Sequence, residues 1–204
     1  MRPFARPPPA QSQSSALARA VPTEPKAPGG SPRTWCPRGW TVTSGGALGI
    51  DAAAHRGALD ARGSTIAILP CGIDNFHPHQ HRALFAEIEQ SGLLVSEYPP
   101  QVNSIRDRLL DRNRLTAALT TAVAVVEAGI RSGTGNTVRT ARKLHRPVFA
   151  LASDQDLPTT RGCREWIDNG VATPISAAHD ILKSLPSEST SPSAIADPAA
   201  LPTT

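Results

Sequence analysis

Short apolar runs alternate with longer helical stretches along the middle of this chain of 204 residues. The apolar runs have the character of buried strands and lie at 40–43, 65–69, 93–96, 122–127 and 147–151. Helices are predicted over 51–61, 80–90, 108–118 and 136–144, and again over 163–168 and 177–185. This alternation predicts right-handed crossovers, and therefore a doubly wound, mostly parallel α/β sheet with helices on both faces. Ligands of such sheets bind beyond the carboxyl ends of the strands.

Both ends of the chain differ in composition from this body. Residues 1–38 are rich in Pro, Ser, Ala and Arg, and residues 186–204 are rich in Ser, Pro, Ala and Thr. Such segments bury too little apolar surface to offset the entropy of ordering them, so disordered tails are predicted. Residues 39–185 remain as one domain with a modest core.

The charge of the chain is basic and unevenly placed. The net charge is +4, and residues 106–146 carry nine Lys and Arg against three acidic residues. A basic stretch of this kind suits a polyanionic partner, although a solvated charged face is the alternative.

The cysteines and the apolar runs bear on the compartment. Cys36, Cys71 and Cys163 are odd in number and far apart, which argues against a disulfide framework and against a zinc ribbon. No apolar run approaches the length of a membrane span, and the start of the chain lacks a secretory apolar segment. We therefore expect a cytoplasmic protein without a membrane partner.

A first glycine-rich turn follows the first predicted strand. Ser44, Gly45, Gly46 and Gly49 lead into a helix that begins near Asp51. Backbone N–H groups at such a strand-to-helix turn form a site for an anion, most often a phosphate. The spacing departs from G-x-G-x-x-G, so a dinucleotide cofactor is disfavoured. Asp51 and His55 share one helix face, which leaves a structural hydrogen bond or, less favoured, a catalytic pair as interpretations.

A second glycine-rich turn follows the fourth predicted strand, and a basic helix lies between the two turns. The hydroxyls of Ser132, Thr134 and Thr137 can donate to phosphate oxygens alongside the backbone N–H groups of the second turn. Gly133 lies within this turn, and Arg131 adds positive charge to it. No lysine follows as in a Walker A loop, so nucleotide hydrolysis is not implied. Arg112, Asn113 and Arg114 in the helix are candidate anion contacts.

Evidence for a reaction centre is weak. His77, His79 and His81 alternate through one loop without a supporting carboxylate or cysteine, so a metal is disfavoured. Glu97 and Cys71 stand at strand ends, where a loop acid and a small buried residue are ordinary. No catalytic residue, metal or cofactor is therefore predicted.

Five motifs in one order resemble the DNA-processing protein A (DprA/Smf) family. Residues 44–59 are similar to S-G-x-A-x-G-I-D-x-x-A-H-x-G-A-L. L-x-C-G-[LI]-D follows at 69–74, S-E-Y-P-P at 96–100, R-N-R-[LI] at 112–115 and V-V-E-A-x-x-x-S-G at 125–133. The resemblance spans residues 38–183, which is almost all of the predicted domain.

This resemblance implies a Rossmann-like domain that binds single-stranded DNA and loads the RecA recombinase onto it during natural transformation. It also implies a homodimer without catalytic activity. The anion-contacting residues that it points to are Ser44, Gly45, Gly46, Gly49, Arg112, Asn113, Arg114, Ser132, Gly133 and Thr134. Because aromatic residues make up only 4% of the chain, phosphate contacts are expected to dominate and binding to depend strongly on salt.

Two departures from the family pattern bear on function. Leu48 stands where many members carry an arginine, and Pro-rich sequence replaces the family's first strand and Gly-Ser-Arg turn. The chain therefore resembles an N-terminally truncated copy, and a non-functional copy is one alternative. A LOG-type nucleoside-monophosphate phosphoribohydrolase is another, although Val138 stands where its catalytic glutamate would come.

Overall fold

A seven-stranded sheet forms the centre of the protein. The computed structural model describes residues 16–20, of which only the backbone is considered, and residues 40–185. The strands are β1 (Ala16–Ala20), β2 (Trp40–Ser44), β3 (Ser64–Leu69), β4 (Leu93–Ser96), β5 (Ala122–Val125), β6 (Val148–Leu151) and β7 (Thr173–Ile175). Their order across the sheet is β4-β3-β2-β1-β5-β6-β7.

Within residues 40–185, six α-helices connect and cover these strands. They are α1 (Ile50–Asp60), α2 (Arg82–Ser91), α3 (Arg106–Ala118), α4 (Thr134–Lys143), α5 (Arg161–Asp168) and α6 (Ala178–Ser184), and a short 3₁₀ turn (His79–His81) precedes α2. Within the described part of the chain, none of these helices has the length and apolar character needed to cross a membrane.

The doubly wound, mostly parallel sheet predicted from the sequence is confirmed. Strand β2 pairs in parallel with β3 and β3 with β4, while β5 pairs in parallel with β6 and β6 with β7. Alternate residues of β5 face opposite layers: Val123 and Val125 pack into one core cluster, and Ala122 and Ala124 into another. Helices therefore cover both faces, as the near-continuous apolar strands require.

Strand β1 departs from the sequence prediction. It lies within residues 1–38, which were predicted to be disordered, and it pairs antiparallel with both β2 and β5 in the middle of the sheet. The pairing joins Ala18 to Val42 on one side and to Ala122 on the other. Main-chain hydrogen bonds from two flanking strands can hold such a segment whatever its side chains are. The composition of the segment therefore did not indicate a strand. The other predicted tail residues, 1–15, 21–38 and 186–204, lie outside the described residues.

Strand β7 was also missed by the sequence analysis. It has three residues, contains Pro174, and forms the edge beside β6. Proline has no N–H to donate between strands, so it is tolerated mainly in edge strands. A short segment that contains proline is therefore not predicted as a strand from its sequence.

The parallel order of the strands places both glycine-rich loops at the same edge of the sheet. Strands β2 to β7 run in the same direction, so the loops that follow them meet at one edge of the sheet. Both glycine-rich loops lie on that edge, after β2 and after β5.

Candidate functional site

The first glycine-rich loop (residues 45–49, between β2 and α1) is folded inward around Asp51. The Oδ2 atom of Asp51 accepts hydrogen bonds of 3.1 Å from the N–H groups of Gly45 and Ala47. Gly46 and Gly49 have φ of 71° and 96°, in the region that glycine adopts without strain. Two of the N–H groups expected to face a ligand are therefore bonded to the protein's own carboxylate.

Arg112 lies beneath this loop. Its side chain is only 3% exposed, and its guanidinium donates to the carbonyl of Ile68 at the end of β3. The guanidinium packs so closely on Gly45 that a Cβ at this position would come within 1.9 Å of a terminal nitrogen of Arg112. Arg112 thus contacts the inner face of the loop, and a side chain at position 45 would have to displace its guanidinium.

Burial and mutual attraction act in opposite directions on the two charges. Burial raises the pKa of Asp51, and the nearby Arg112 charge, the N–H donors of Ala47 and Gly45 and a hydrogen bond from the Ser44 side chain oppose that rise. Burial likewise lowers the pKa of Arg112, and the charge of Asp51 opposes that change. Each group is therefore the main compensating charge for the other in a region that excludes water.

Two residues of the histidine loop and of α2 support the first loop from the other side. His81 Nδ1 donates a hydrogen bond of 2.9 Å to the carbonyl of Gly46. The ring of Phe85 lies 2.4 Å from where a Cβ of residue 46 would stand. Neither residue was predicted for the site: His81 was considered only as a disfavoured metal ligand, and Phe85 only as part of a predicted helix. The described residues contain no group of three His, Cys, Asp or Glu side chains suited to hold a metal ion.

His55 pairs with Thr65 and not with Asp51. Its Nδ1 lies 2.6 Å from Thr65 Oγ1, and that hydroxyl donates to the carbonyl of Val42 at 2.9 Å. Because the hydroxyl hydrogen is used, Nδ1–H of His55 must be the donor of the first bond. Burial is the largest of the effects that lower the pKa of His55, to about 3. His55 is therefore a neutral structural residue.

The second glycine-rich loop (residues 129–133, between β5 and α4) is more open. Ser132 N–H donates to the carbonyl of Gly129 at 3.0 Å, which forms a tight turn into the helix. Arg131 is exposed, and Ile130, at 61%, is the most exposed of the large apolar residues described. The Ser132 hydroxyl is buried and has no hydrogen-bond partner among the described residues.

Helix α3 joins the two loops. While Arg112 contacts the first loop, Asn113 Nδ2 donates to the carbonyl of Gly133 in the second at 3.3 Å. In return, Asn136 of α4 donates to the carbonyl of Leu110 in α3 at 2.7 Å. Arg114 points away from both loops and forms an exposed ion pair with Glu97. Adjacent residues of the R-N-R motif thus have three different partners.

A small cavity lies where these elements meet. It has a volume of about 10 Å³ and is lined by Gly45, Asp51, Arg112, Asn113, Thr116, Thr134 and Thr137. Of the predicted site residues, Gly45, Arg112, Asn113 and Thr134 are thereby brought together, and Gly133 is bonded to one of them. Ser44 is buried at the end of β2, whereas Gly49, Arg114 and Arg131 are exposed. Thr137, whose hydroxyl was predicted as a donor to phosphate, also lines the cavity. Thr116 was not predicted, because a single threonine in a helix gives no indication of a site.

Known proteins resemble this chain over the same region. The family model for DNA recombination-mediator protein A matches residues 31–186. A DNA processing protein DprA of Mycobacterium tuberculosis is 47% identical over 142 residues, which cover 70% of this chain and 36% of that protein. A DprA of Streptococcus pneumoniae is 36% identical over 141 residues, which cover 69% of this chain and 50% of that protein. The chain thus spans between about a third and a half of these relatives.

Solved structures agree with these matches. The structure of DprA from Streptococcus pneumoniae superimposes with a TM-score of 0.65 and 33% identity, over 72% of this chain and 51% of that one. DprA from Helicobacter pylori, for which a single-stranded DNA binding mode is described, gives 0.63 and 33% identity, over 70% of this chain and 64% of that one. The five motifs occur in order, the sheet matches that of the solved structures, and the family model covers most of this chain. This chain therefore belongs to the DNA recombination-mediator protein A family.

Proposed function

We propose that this chain binds single-stranded DNA through the edge of the sheet that carries the two glycine-rich loops. The observation that carries the proposal is the joining of both loops by Arg112 and Asn113 of α3, which fixes the open second loop relative to the exposed end of the first loop. A sugar-phosphate strand presents phosphates at regular intervals, and two turns fixed relative to one another match such a repeating ligand. The single-stranded DNA binding of the Helicobacter pylori relative supports the same ligand class.

The predicted contact residues divide by exposure. Arg131 is exposed and Ser132 and Gly133 are half-buried, so we assign the phosphate contact to Arg131 and to the backbone of this turn. Ser44, Gly45 and Arg112 are buried, so their proposed role is to shape the first loop. The contact set therefore centres on the second loop and on the exposed backbone around Gly49, with arginines of α3 contributing charge at longer range.

The proposal also includes two protein partners, the RecA recombinase and a second copy of this chain. A recombination mediator of this family would deliver single-stranded DNA to RecA, and it would act as a homodimer. Sedimentation of the purified chain measures the second point, and RecA-dependent strand exchange with and without the chain measures the first. A monomer at every concentration, or unchanged strand exchange, would remove the corresponding partner from the proposal.

The enzyme alternative gains no support from the site. Val138, which stands where the phosphoribohydrolases carry a glutamate, is 2% exposed and packs in the core with Val123 and Ala141. The residues of the cavity supply one carboxylate, Asp51, and its Oδ2 already accepts two backbone hydrogen bonds. We therefore infer a binding protein without chemistry of its own.

Fluorescence anisotropy of a labelled single-stranded oligonucleotide tests the proposal. The titration is run with the purified chain at about 50 mM and about 200 mM salt, where phosphate contacts differ strongly in strength. Unlabelled single strand, duplex DNA and AMP serve as competitors. We expect salt-sensitive binding for which the single strand competes best.

Three results would contradict it. Absence of binding by a protein that unfolds cooperatively would favour a non-functional copy. Better competition by duplex DNA would change the ligand class, and competition by AMP alone would favour the phosphoribohydrolase.

A further inference from the structure

Three buried polar groups on two helices surround the small cavity between the loops. Asp51 of α1 and Arg112 and Thr116 of α3 line it, and they are 0%, 3% and 4% exposed. Asp51 Oδ1, Arg112 Nε and Thr116 Oγ1 have no hydrogen-bond partner among the described residues. Buried polar atoms are nearly always paired, because each unpaired one costs free energy comparable to a lost hydrogen bond.

The volume of the cavity limits what can pair with them. About 10 Å³ is at the lower end of the space that holds one water molecule. A phosphate, a sugar or a base is several times larger and would require the helices to separate. As the helices stand, the cavity is therefore too small to hold a whole nucleotide of the DNA strand in the proposed function.

The charges lining the cavity limit the occupant further. A cation would face the guanidinium of Arg112, and an anion would face the carboxylate of Asp51. A neutral molecule that both donates and accepts satisfies all three atoms: it donates to Asp51 Oδ1, accepts from Arg112 Nε–H and bonds to the Thr116 hydroxyl. Water has this chemistry, and internal waters typically make about three such hydrogen bonds.

We propose that this cavity is the binding site of one internal water molecule, which bridges α1 and α3. The water gives Asp51 a partner for the oxygen that the first loop does not use, and so helps the carboxylate to hold the N–H groups of Gly45 and Ala47. Through Thr134 and Thr137 the same cavity borders α4, beside the second loop. This inference is independent of whether the chain binds DNA.

Magnetic relaxation dispersion of water ¹⁷O, which counts long-lived internal water molecules, tests the inference on the full chain. Thr116→Val removes the hydroxyl and keeps the shape of the side chain, so we expect one long-lived water fewer than in the unchanged protein. Thr116→Ser keeps the hydroxyl and should retain the water.

Thr120→Val is the matched control. The Thr120 hydroxyl is also buried, but it donates to the carbonyls of Thr116 and Ala117 at 2.8 and 3.1 Å and does not line the cavity. Its count should equal that of the unchanged protein. Equal counts in the unchanged protein and in Thr116→Val would overturn the inference, as would a crystal structure with an ion in the cavity.

Discussion

The two glycine-rich loops have similar sequences but differ in what surrounds them. In the first, Gly45 and Gly46 are buried, and Asp51, Arg112, Phe85 and His81 hold the loop from within. In the second, the apex at Ile130 and Arg131 faces solvent. One loop is therefore specified by its packing, whereas the other presents its apex to solvent.

The difference explains why one motif contains two kinds of arginine. Arg112 touches the packed loop and compensates a buried carboxylate, while Arg114, two residues later, forms an ion pair at the surface. Replacing the first should change stability, and replacing arginines at the surface should change the salt dependence of binding.

Arg112→Ala should give the largest effect. It leaves the Asp51 carboxylate without its compensating charge and removes the donor to the carbonyl of Ile68. Breaking a buried pair on one side costs about 3–5 kcal/mol of the free energy of unfolding. Urea denaturation measures the loss, and Arg112→Lys should recover only part of it because lysine lacks the planar fork. A loss below about 1 kcal/mol would show that Arg112 is not part of the packed loop.

Gly46→Ala should be the next largest. The new Cβ would meet the ring of Phe85 at 2.4 Å, and the φ of 71° disfavours any side chain. Overpacking costs about 1–3 kcal/mol and the left-handed backbone about 1–2 kcal/mol. Gly135→Ala is the control beside the open loop: its nearest neighbour is Trp166 at 3.7 Å, and alanine in a helix should stabilise by about 0.5–1 kcal/mol. Equal effects of both changes would contradict the distinction between the loops.

Acid should destabilise the packed side of the molecule through His55. The pKa of His55 is about 3 in the folded protein against 6.5 as its ordinary value, so the unfolded chain binds the extra proton between these pH values. Stability therefore falls as the pH falls below about 6.5, by up to about 1.4 kcal/mol per pH unit and about 2 kcal/mol by pH 5. Urea denaturation at pH 7 and pH 5 measures this decrease. His55→Gln should be less stable at pH 7, but its free energy of unfolding should no longer show this part of the pH dependence. If the dependence of that free energy on pH were unchanged in the variant, other groups would be responsible for it.

The smallest effects on stability are expected at the surface arginines. Arg131→Ala should change the free energy of unfolding by no more than about 0.5 kcal/mol but lower the slope of log affinity against log salt by about one. Arg114→Ala should change that slope less, because Glu97 already compensates its charge. Anisotropy titrations over a series of salt concentrations compare the two variants. A larger change for Arg114 would move the proposed contact from the second loop to α3.

Several features of the site could be predicted from the residues because they depend on neighbours along the chain. A strand followed by glycines and a helix predicts a turn with exposed N–H groups, and both turns lie where the sequence indicated. The R-N-R motif was correctly assigned to a helix, α3. The predicted helical spacing alone did not reveal that Arg112 faces the protein and Arg114 the solvent.

Other features required the three-dimensional packing. The antiparallel position of β1 depends on the strands that flank it, and the contacts of His81 and Phe85 with the first loop join residues far apart in the chain. Long-range contacts of this kind cannot be predicted from the periodicity of apolar residues. Each helix or strand keeps the same local pattern whichever element it packs against.

The sequence by itself thus determined the class of fold, the two glycine-rich turns and, through its five motifs, the family. The fold class and the turns follow from local backbone preferences and from the spacing of apolar residues, whereas the family follows from the resemblance of the motifs. Only the tertiary structure decided which loop is packed and which is open, since that depends on the burial of Asp51 and Arg112 against one another. A buried charge is stable only with its partner in place, and the partner comes from a different part of the chain.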